Sequence, residues 1–196
     1  WIQFVIKKPG FSELIESKSK FIGFGLIGKS RDDFLLGIKK IASQHSSASH
    51  IAFAYQIKTE NGVDSYFKDD GEPNGTAGRP LLTIIESKSI VNSGLAVVRY
   101  YGGINLGSGG LTRAYSKTGM KALTNSALER YMHFSNYKLI INYNTLDKLI
   151  NVIYQNKGSI LYKIFADKVI VHISLPTIAE SIIREEFKMI DMTLIN

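Results

Sequence analysis

Leu95-Ala96-Val97-Val98-Arg99-Tyr100-Tyr101-Gly102-Gly103-Ile104-Asn105-Leu106-Gly107-Ser108-Gly109-Gly110-Leu111-Thr112-Arg113 joins an apolar run to the start of a helical one. Leu-Ala-Val-Val reads as a covered strand. Leu111, Tyr115, Met120 and Leu123 repeat at near-helical spacing, which predicts a helix from about Gly109 to Ser126. A glycine loop lies between the two. Strand, glycine loop and helix is a layout suited to anions. The first N–H groups of a helix are free, its dipole is positive there, and glycines let a ligand reach the backbone. The spacing is neither G-x-x-x-x-G-K-[ST] nor G-x-G-x-x-G, and no Walker lysine follows Gly107, which excludes a P-loop triphosphatase and a dinucleotide site. A second reading stays open, in which the glycines serve tight turns and close packing of helix on sheet.

Another glycine block, the first along the chain, lies upstream: Asp69-Asp70-Gly71-Glu72-Pro73-Asn74-Gly75-Thr76-Ala77-Gly78-Arg79-Pro80. Nine of the 17 glycines fall between Gly71 and Gly110, so both blocks belong to one unusual region of backbone. Arginines and acids are interleaved with the glycines, which marks a surface site. Asp69, Asp70 and Glu72 place three carboxylates in four loop residues and allow three readings. They can hold Mg²⁺, they can be ordinary turn chemistry, or one of them can pair with Arg79 or Arg99 and tie the blocks together.

Outward from these blocks the chain reads as alternating elements. Phe4 to Ile6, Phe11 to Leu14 and Lys20 to Ile27 give three strands. Ser30 is a candidate N-cap with Asp32 and Asp33 in the first turn, and apolar spacing predicts a helix over 31–44. His50 to Lys58 and Val63 to Phe67 form a hairpin around Asn61-Gly62. A helix over 76–86 tolerates Pro80 in its first turn. After Glu129 the pattern resets to strand 137–143, helix 145–156, strands 160–165 and 168–175, helix 176–189 and a last strand at 193–195. This β-α-β-β-α-β order is that of a ferredoxin-like unit.

The chain has 196 residues, no cysteine, and a net charge of +7. The missing cysteines exclude a disulfide framework and a thiolate zinc site and fit a reducing compartment, so the expected location is the cytoplasm. No apolar run reaches the roughly 20 residues of a membrane span, so no membrane is expected. The start has no signal-peptide layout, and its lack of Met suggests a clipped or altered N-terminus. Through Arg130 there are 17 Lys and Arg against 11 Asp and Glu, while beyond it the balance is nearly even. A basic first part is compatible with an anionic partner, and equally with a solvated lysine surface.

The two blocks, in this order, resemble the YigZ/IMPACT family, and the similarity extends through Lys18-Ser19-Lys20-Phe21-Ile22 and His50-Ile51-Ala52-Phe53-Ala54-Tyr55. The resemblance implies an α+β protein. Its N-terminal domain (1–132) would be like domain 2 of ribosomal protein S5, and its C-terminal domain (133–196) ferredoxin-like. It implies a role in translational control, which eukaryotic relatives exert under stress by engaging an activator of an initiation-factor kinase. Two positions depart from the family pattern. Ala52 replaces a frequent Cys, which removes any thiol role, and Lys68 stands where many relatives have Ser.

The candidate anion- or nucleic-acid-binding residues are Arg79, Arg99, Tyr100, Tyr101, Gly102, Gly103, Gly107, Ser108, Gly109, Gly110 and Arg113. Arginines would take phosphates, and a tyrosine would stack on a base. Of Tyr100 and Tyr101, one should pack inward and the other face the groove. His50, Asp69, Asp70 and Glu72 are candidates for groove or partner contacts. No histidine pair has zinc spacing, and Gly107-Ser108-Gly109 lacks the nucleophile elbow, so no catalytic residue, resident metal or cofactor is expected. The expected partner is RNA, the ribosome or a translation factor. The alternatives are a protein-interaction regulator without nucleic acid and a metal-dependent enzyme acting on a phosphorylated substrate through Asp69, Asp70 or Glu72.

Overall fold

A computed structural model describes residues 2–195. The chain divides into two units, Trp1–Tyr131 and Met132–Asn196, each of mixed α/β structure.

In the first unit, β1 (Phe4–Lys8) precedes β2 (Phe11–Glu16) and β3 (Ser19–Ile27), which form a hairpin. The turn residues Ser17 and Lys18 both have positive φ, the geometry whose twist matches paired strands. Helix α1 (Arg31–Gln44) follows, then β4 (His50–Thr59), β5 (Gly62–Lys68), α2 (Gly78–Ser87), β6 (Ser93–Tyr100) and α3 (Gly107–Thr124). Five strands form one sheet in the order β2-β3-β6-β4-β5, with all neighbours antiparallel. A short β7 (Ala127–Arg130) returns to pair with β1.

The sheet is covered on both faces. Leu95 and Val97 of β6 point to one apolar cluster with Leu81 and Ile85 of α2 and Leu111 and Tyr115 of α3. Ala96 and Val98, one residue out of step, point to a second cluster with Phe34 and Ile41 of α1. This double burial is why β6 reads as a continuous apolar run rather than an alternating one. Phe34 stacks on Tyr55 at 4.3 Å between centroids, which locks α1 onto β4.

The second unit runs β8 (Phe134–Ile141), α4 (Leu146–Gln155), β9 (Ser159–Phe165), β10 (Val169–Pro176), α5 (Glu180–Glu186) and β11 (Asp191–Ile195). Its antiparallel sheet has the order β11-β8-β10-β9. Alternate residues Val169, Val171, Ile173 and Leu175 are buried with Leu149 and Ile153 of α4 and Ile183 of α5.

Several boundaries differ from the sequence expectation: β8 runs Phe134–Ile141 rather than 137–143, α3 starts at Gly107 rather than Gly109, and α5 ends at Glu186 rather than Met189. The strand expected to stop at Leu175 continues through Pro176, which pairs with Phe134 at the sheet's end, and only after a single turn does α5 begin, at Glu180. Proline fits there because its fixed φ suits extended backbone and an end position needs no N–H. The α2 helix begins at Gly78 rather than Thr76, because Asp69 caps it from outside. The β7 strand was not anticipated: its four residues are all exposed, so no apolar alternation marks it. Among the described residues, no helix is long and apolar enough to cross a membrane.

Candidate anion and partner cleft

The end of β6, the first glycine block and the start of α3 surround a cleft of about 540 Å³ lined by Ser49, His50, Glu72, Pro73, Arg99, Tyr101, Asn105, Leu106, Gly107, Ser108 and Leu111. Its floor is an ion pair. Arg99 lies two residues beyond Val97 and so projects toward the α2/α3 side of the sheet, at the sheet's edge. There Arg99 Nη1 donates to Glu72 Oε1 at 2.7 Å and Oε2 at 2.9 Å. Both side chains are buried, 6% and 3% exposed, so the pair is shielded from solvent screening. The Tyr115 hydroxyl donates to the same Oε1 at 2.8 Å. Burial, then the Glu72 charge and the hydrogen bond to it, push the Tyr115 hydroxyl well above the usual tyrosine range, so it remains a donor. The guanidinium lies between Phe21 and Tyr101, 5.5 and 5.3 Å from their ring centroids. Arg99 Nε, also buried, has no partner among the described residues.

The three carboxylates of the first block serve three different ends. Asp69 Oδ1 accepts from the N–H groups of Ala77 and Gly78, and Oδ2 accepts from that of Gly75. It therefore caps α2 from eight or nine residues upstream, in place of a capping side chain at Ala77. Asp70, at φ +54°, accepts from the Ile51 N–H at 2.7 Å and faces Lys68 at 3.3 Å. Glu72 holds Arg99. The reading in which an acid ties the two blocks together is the one this geometry carries, with Arg99 rather than Arg79 as the partner. Among the described residues no group of three or more histidines and carboxylates is gathered as metal ligands.

Sheet register sets His50 beside Arg99. His50 Nδ1 lies 2.7 Å from the Asp70 carbonyl oxygen. A carbonyl only accepts, so Nδ1 carries the proton and Nε2 faces Glu72 Oε2 at 3.9 Å, an ion pair only when the ring is protonated. Tyr101, half exposed, forms one wall, its N–H donating to Ser49 Oγ and its hydroxyl to Asn105 Oδ1. Tyr100 turns to the opposite face of the sheet and bonds His45 Nδ1 at 2.7 Å, so of the two tyrosines only Tyr101 reaches the cleft.

The glycines divide by role. A Cβ on Gly102 would meet the Lys18 carbonyl at 2.1 Å, and one on Gly78 the Lys68 backbone at 2.5 Å. These two let the blocks lie directly against the hairpin turn and the end of β5. Gly110 packs against Leu106. By contrast, Gly103, Gly107 and Gly109 open onto free space or a flexible arginine, and α3 starts at Gly107 without a side-chain cap. The first N–H groups of α3 thus stand at the cleft with no side chain across them. Ser108 lies beside them. Arg113 lines a neighbouring depression with Glu16, Gly110 and Lys117. Arg79 sits on the exposed side of α2 over the Phe67 ring, away from the cleft. Of the arginines expected on phosphates, Arg99 instead meets Glu72.

Ser19, Ser49 and Tyr115 escaped the sequence reading. Ser19 is fully buried, accepts from the Gly102 N–H at 3.1 Å and receives Arg99 Nη2 at 3.4 Å. The only signal was its place in Lys18-Ser19-Lys20.

Residues 17–123 match the Impact N-terminal domain family. The chain is similar to IMPACT family member YvyE of Bacillus subtilis, 37% identical over 153 residues, 76% of this chain and 68% of that protein. It is similar to IMPACT family member YigZ of Escherichia coli K12 at 31% identity over 140 residues, 71% of this chain and 69% of that one. A crystal structure of a hypothetical protein superposes with a TM-score of 0.71 at 25% identity, covering 100% of this chain and 98% of the other. The two glycine blocks, Ser19 and His50 all lie inside the matched segment, and the chain belongs to the IMPACT family.

Proposed function

We propose that the protein is a non-enzymatic regulator of translation that binds RNA or a ribosomal component through this cleft. The observation that carries the reading is the uncapped start of α3, whose N–H groups face an open cleft beside an exposed tyrosine. The translational role rests on the family resemblance. We assign residues 1–132 to the ribosomal protein S5 domain 2-like fold. Residues 133–196 we assign to the ferredoxin-like fold, on the βαββαβ order and β11-β8-β10-β9 sheet of the second unit. The protein-interaction reading draws support from Tyr101 and Ile104, both more than 40% exposed at the glycine loop.

Ser108→Asp tests the proposal. Ser108 is exposed and lines the cleft at the start of α3, so the substitution fits. A carboxylate in the first turn favours the helix while filling the anion position with negative charge. RNA affinity, measured by fluorescence anisotropy at low salt, should fall while the melting temperature holds or rises. Unchanged affinity, or no RNA binding by the unmodified protein, overturns the RNA reading in favour of a protein partner.

A further inference from the structure

We propose that the outer face of α3 is a phosphate track, along which the backbone of single-stranded RNA runs away from the cleft. This rests on the RNA reading above and names a surface that reading does not use. Arg113, Lys117 and Lys121 follow one another at intervals of four and are all exposed, while Ala114, Tyr115, Thr118 and Ala122 turn inward. At about 1.5 Å rise per residue the three cations stand roughly 6 Å apart in one row.

Three facts separate this row from an ordinary solvated helix face. The helix contains no aspartate or glutamate. None of the three cations belongs to an ion pair among the described residues, although five other Lys and Arg residues of the first unit or of α5 do. Like charges four residues apart disfavour a helix, and of the three only Lys121, in the last turn, also suits the helix dipole. The row also joins the cleft. The depression holding Arg113 and Lys117 shares Asn105 and Leu106 with it, so a strand whose phosphate sits at the start of α3 can continue over the row without leaving the surface. A linear polyanion is the ligand that uses an unneutralised row of this kind, because each phosphate it places there releases bound counterions. Glu16 lines the same depression and opposes the ligand.

The test is the affinity of a labelled oligouridylate of roughly 12 nucleotides, measured over a series of salt concentrations. Four proteins are compared: the unmodified chain, Lys117→Ala/Lys121→Ala, Glu16→Gln and Ser108→Asp. The double variant should bind more weakly, and its log–log salt slope should be shallower by about 1.4, two phosphates at ~0.7 each. Glu16→Gln should bind more tightly. Melting temperatures should not fall, since all three side chains are exposed and the lysine pair does not favour the helix. If the double variant keeps the original slope while Ser108→Asp still weakens binding, the track is wrong and the cleft reading stands. If the unmodified protein does not bind RNA at low salt, both fall. Preferential binding to vesicles of anionic lipid, lost in the double variant, overturns the track as an RNA surface.

Discussion

Glu72 accepts from Arg99 and Tyr115, which the chain supplies 27 and 43 residues further on. Two charges have been taken out of water there, and their attraction repays that cost only while the donors stay in place. Removing one partner leaves a buried charge unmatched. Glu72→Ala should therefore lower unfolding free energy by about 3–5 kcal/mol, read from urea denaturation. Tyr115→Phe deletes one hydrogen bond to a charged group and should cost about 1.5–3 kcal/mol. If Glu72→Ala melts like the unmodified protein, the pair does not hold the blocks together. This network was half legible. That an acid of the first block meets an arginine could be read from composition. Which pair meets could not, because it depends on Arg99 falling in phase with Val97 and on Asp69 being occupied at the start of α2. Tyr115 read only as one more apolar helix position, since nothing in its spacing announces where a hydroxyl points.

At the scale of elements, α1 shows where local signals suffice. Ser30 accepts from the Asp33 N–H at 3.2 Å, and Asp33 accepts from the N–H groups of Lys29 and Ser30. The capping serine and first-turn acids mark this start within four residues of sequence, and the helix runs Arg31–Gln44 as the spacing implies. Ser30→Ala should cost about 1 kcal/mol. The Lys29 backbone hydrogen bond, then the Ser30 side chain, holds the Asp33 carboxyl below its usual range. A depressed folded value means that the cap's contribution is complete above the ordinary carboxylate pKa and is lost as pH falls through the folded value. The stability gap between the unmodified protein and Asp33→Asn should thus be present at neutral pH and close in acid. A gap independent of pH would rule out the carboxylate as the cap. Where a cap comes from a distance the sequence is silent: α2 is started by Asp69 across a loop, and its first residue was misplaced by two. The start of α5 was misplaced for a related reason, as Pro176 is equally good at opening a helix and at ending a strand.

At the scale of the whole molecule, the element order was readable because short strands and helices are separated by turn residues, while the closure of the first unit was not. That closure is β1 against β7, segments more than a hundred residues apart that pair Phe4 with Arg130 and Ile6 with Leu128. Ile6 is buried in the α2/α3 cluster, and its N–H donates to Ser93 Oγ at 2.8 Å. The chain's return through Ser126 adds further ties, its hydroxyl accepting from the Gly10 N–H. The apolar clusters of the first unit share no residue with that of the second. A fragment ending at Tyr131 should therefore unfold in one cooperative transition. A fragment ending at Ser126 keeps every core side chain but lacks β7, so it leaves the inner hydrogen-bonding edge of β1 without its partner strand. It should melt at lower temperature, with amide exchange raised first in β1. The comparison separates two ideas that a single truncation would confuse. If both fragments melt alike, β7 is an ornament on a unit closed elsewhere. If neither melts cooperatively, the first unit depends on residues beyond Tyr131, and the division of the chain at that point does not describe how it folds.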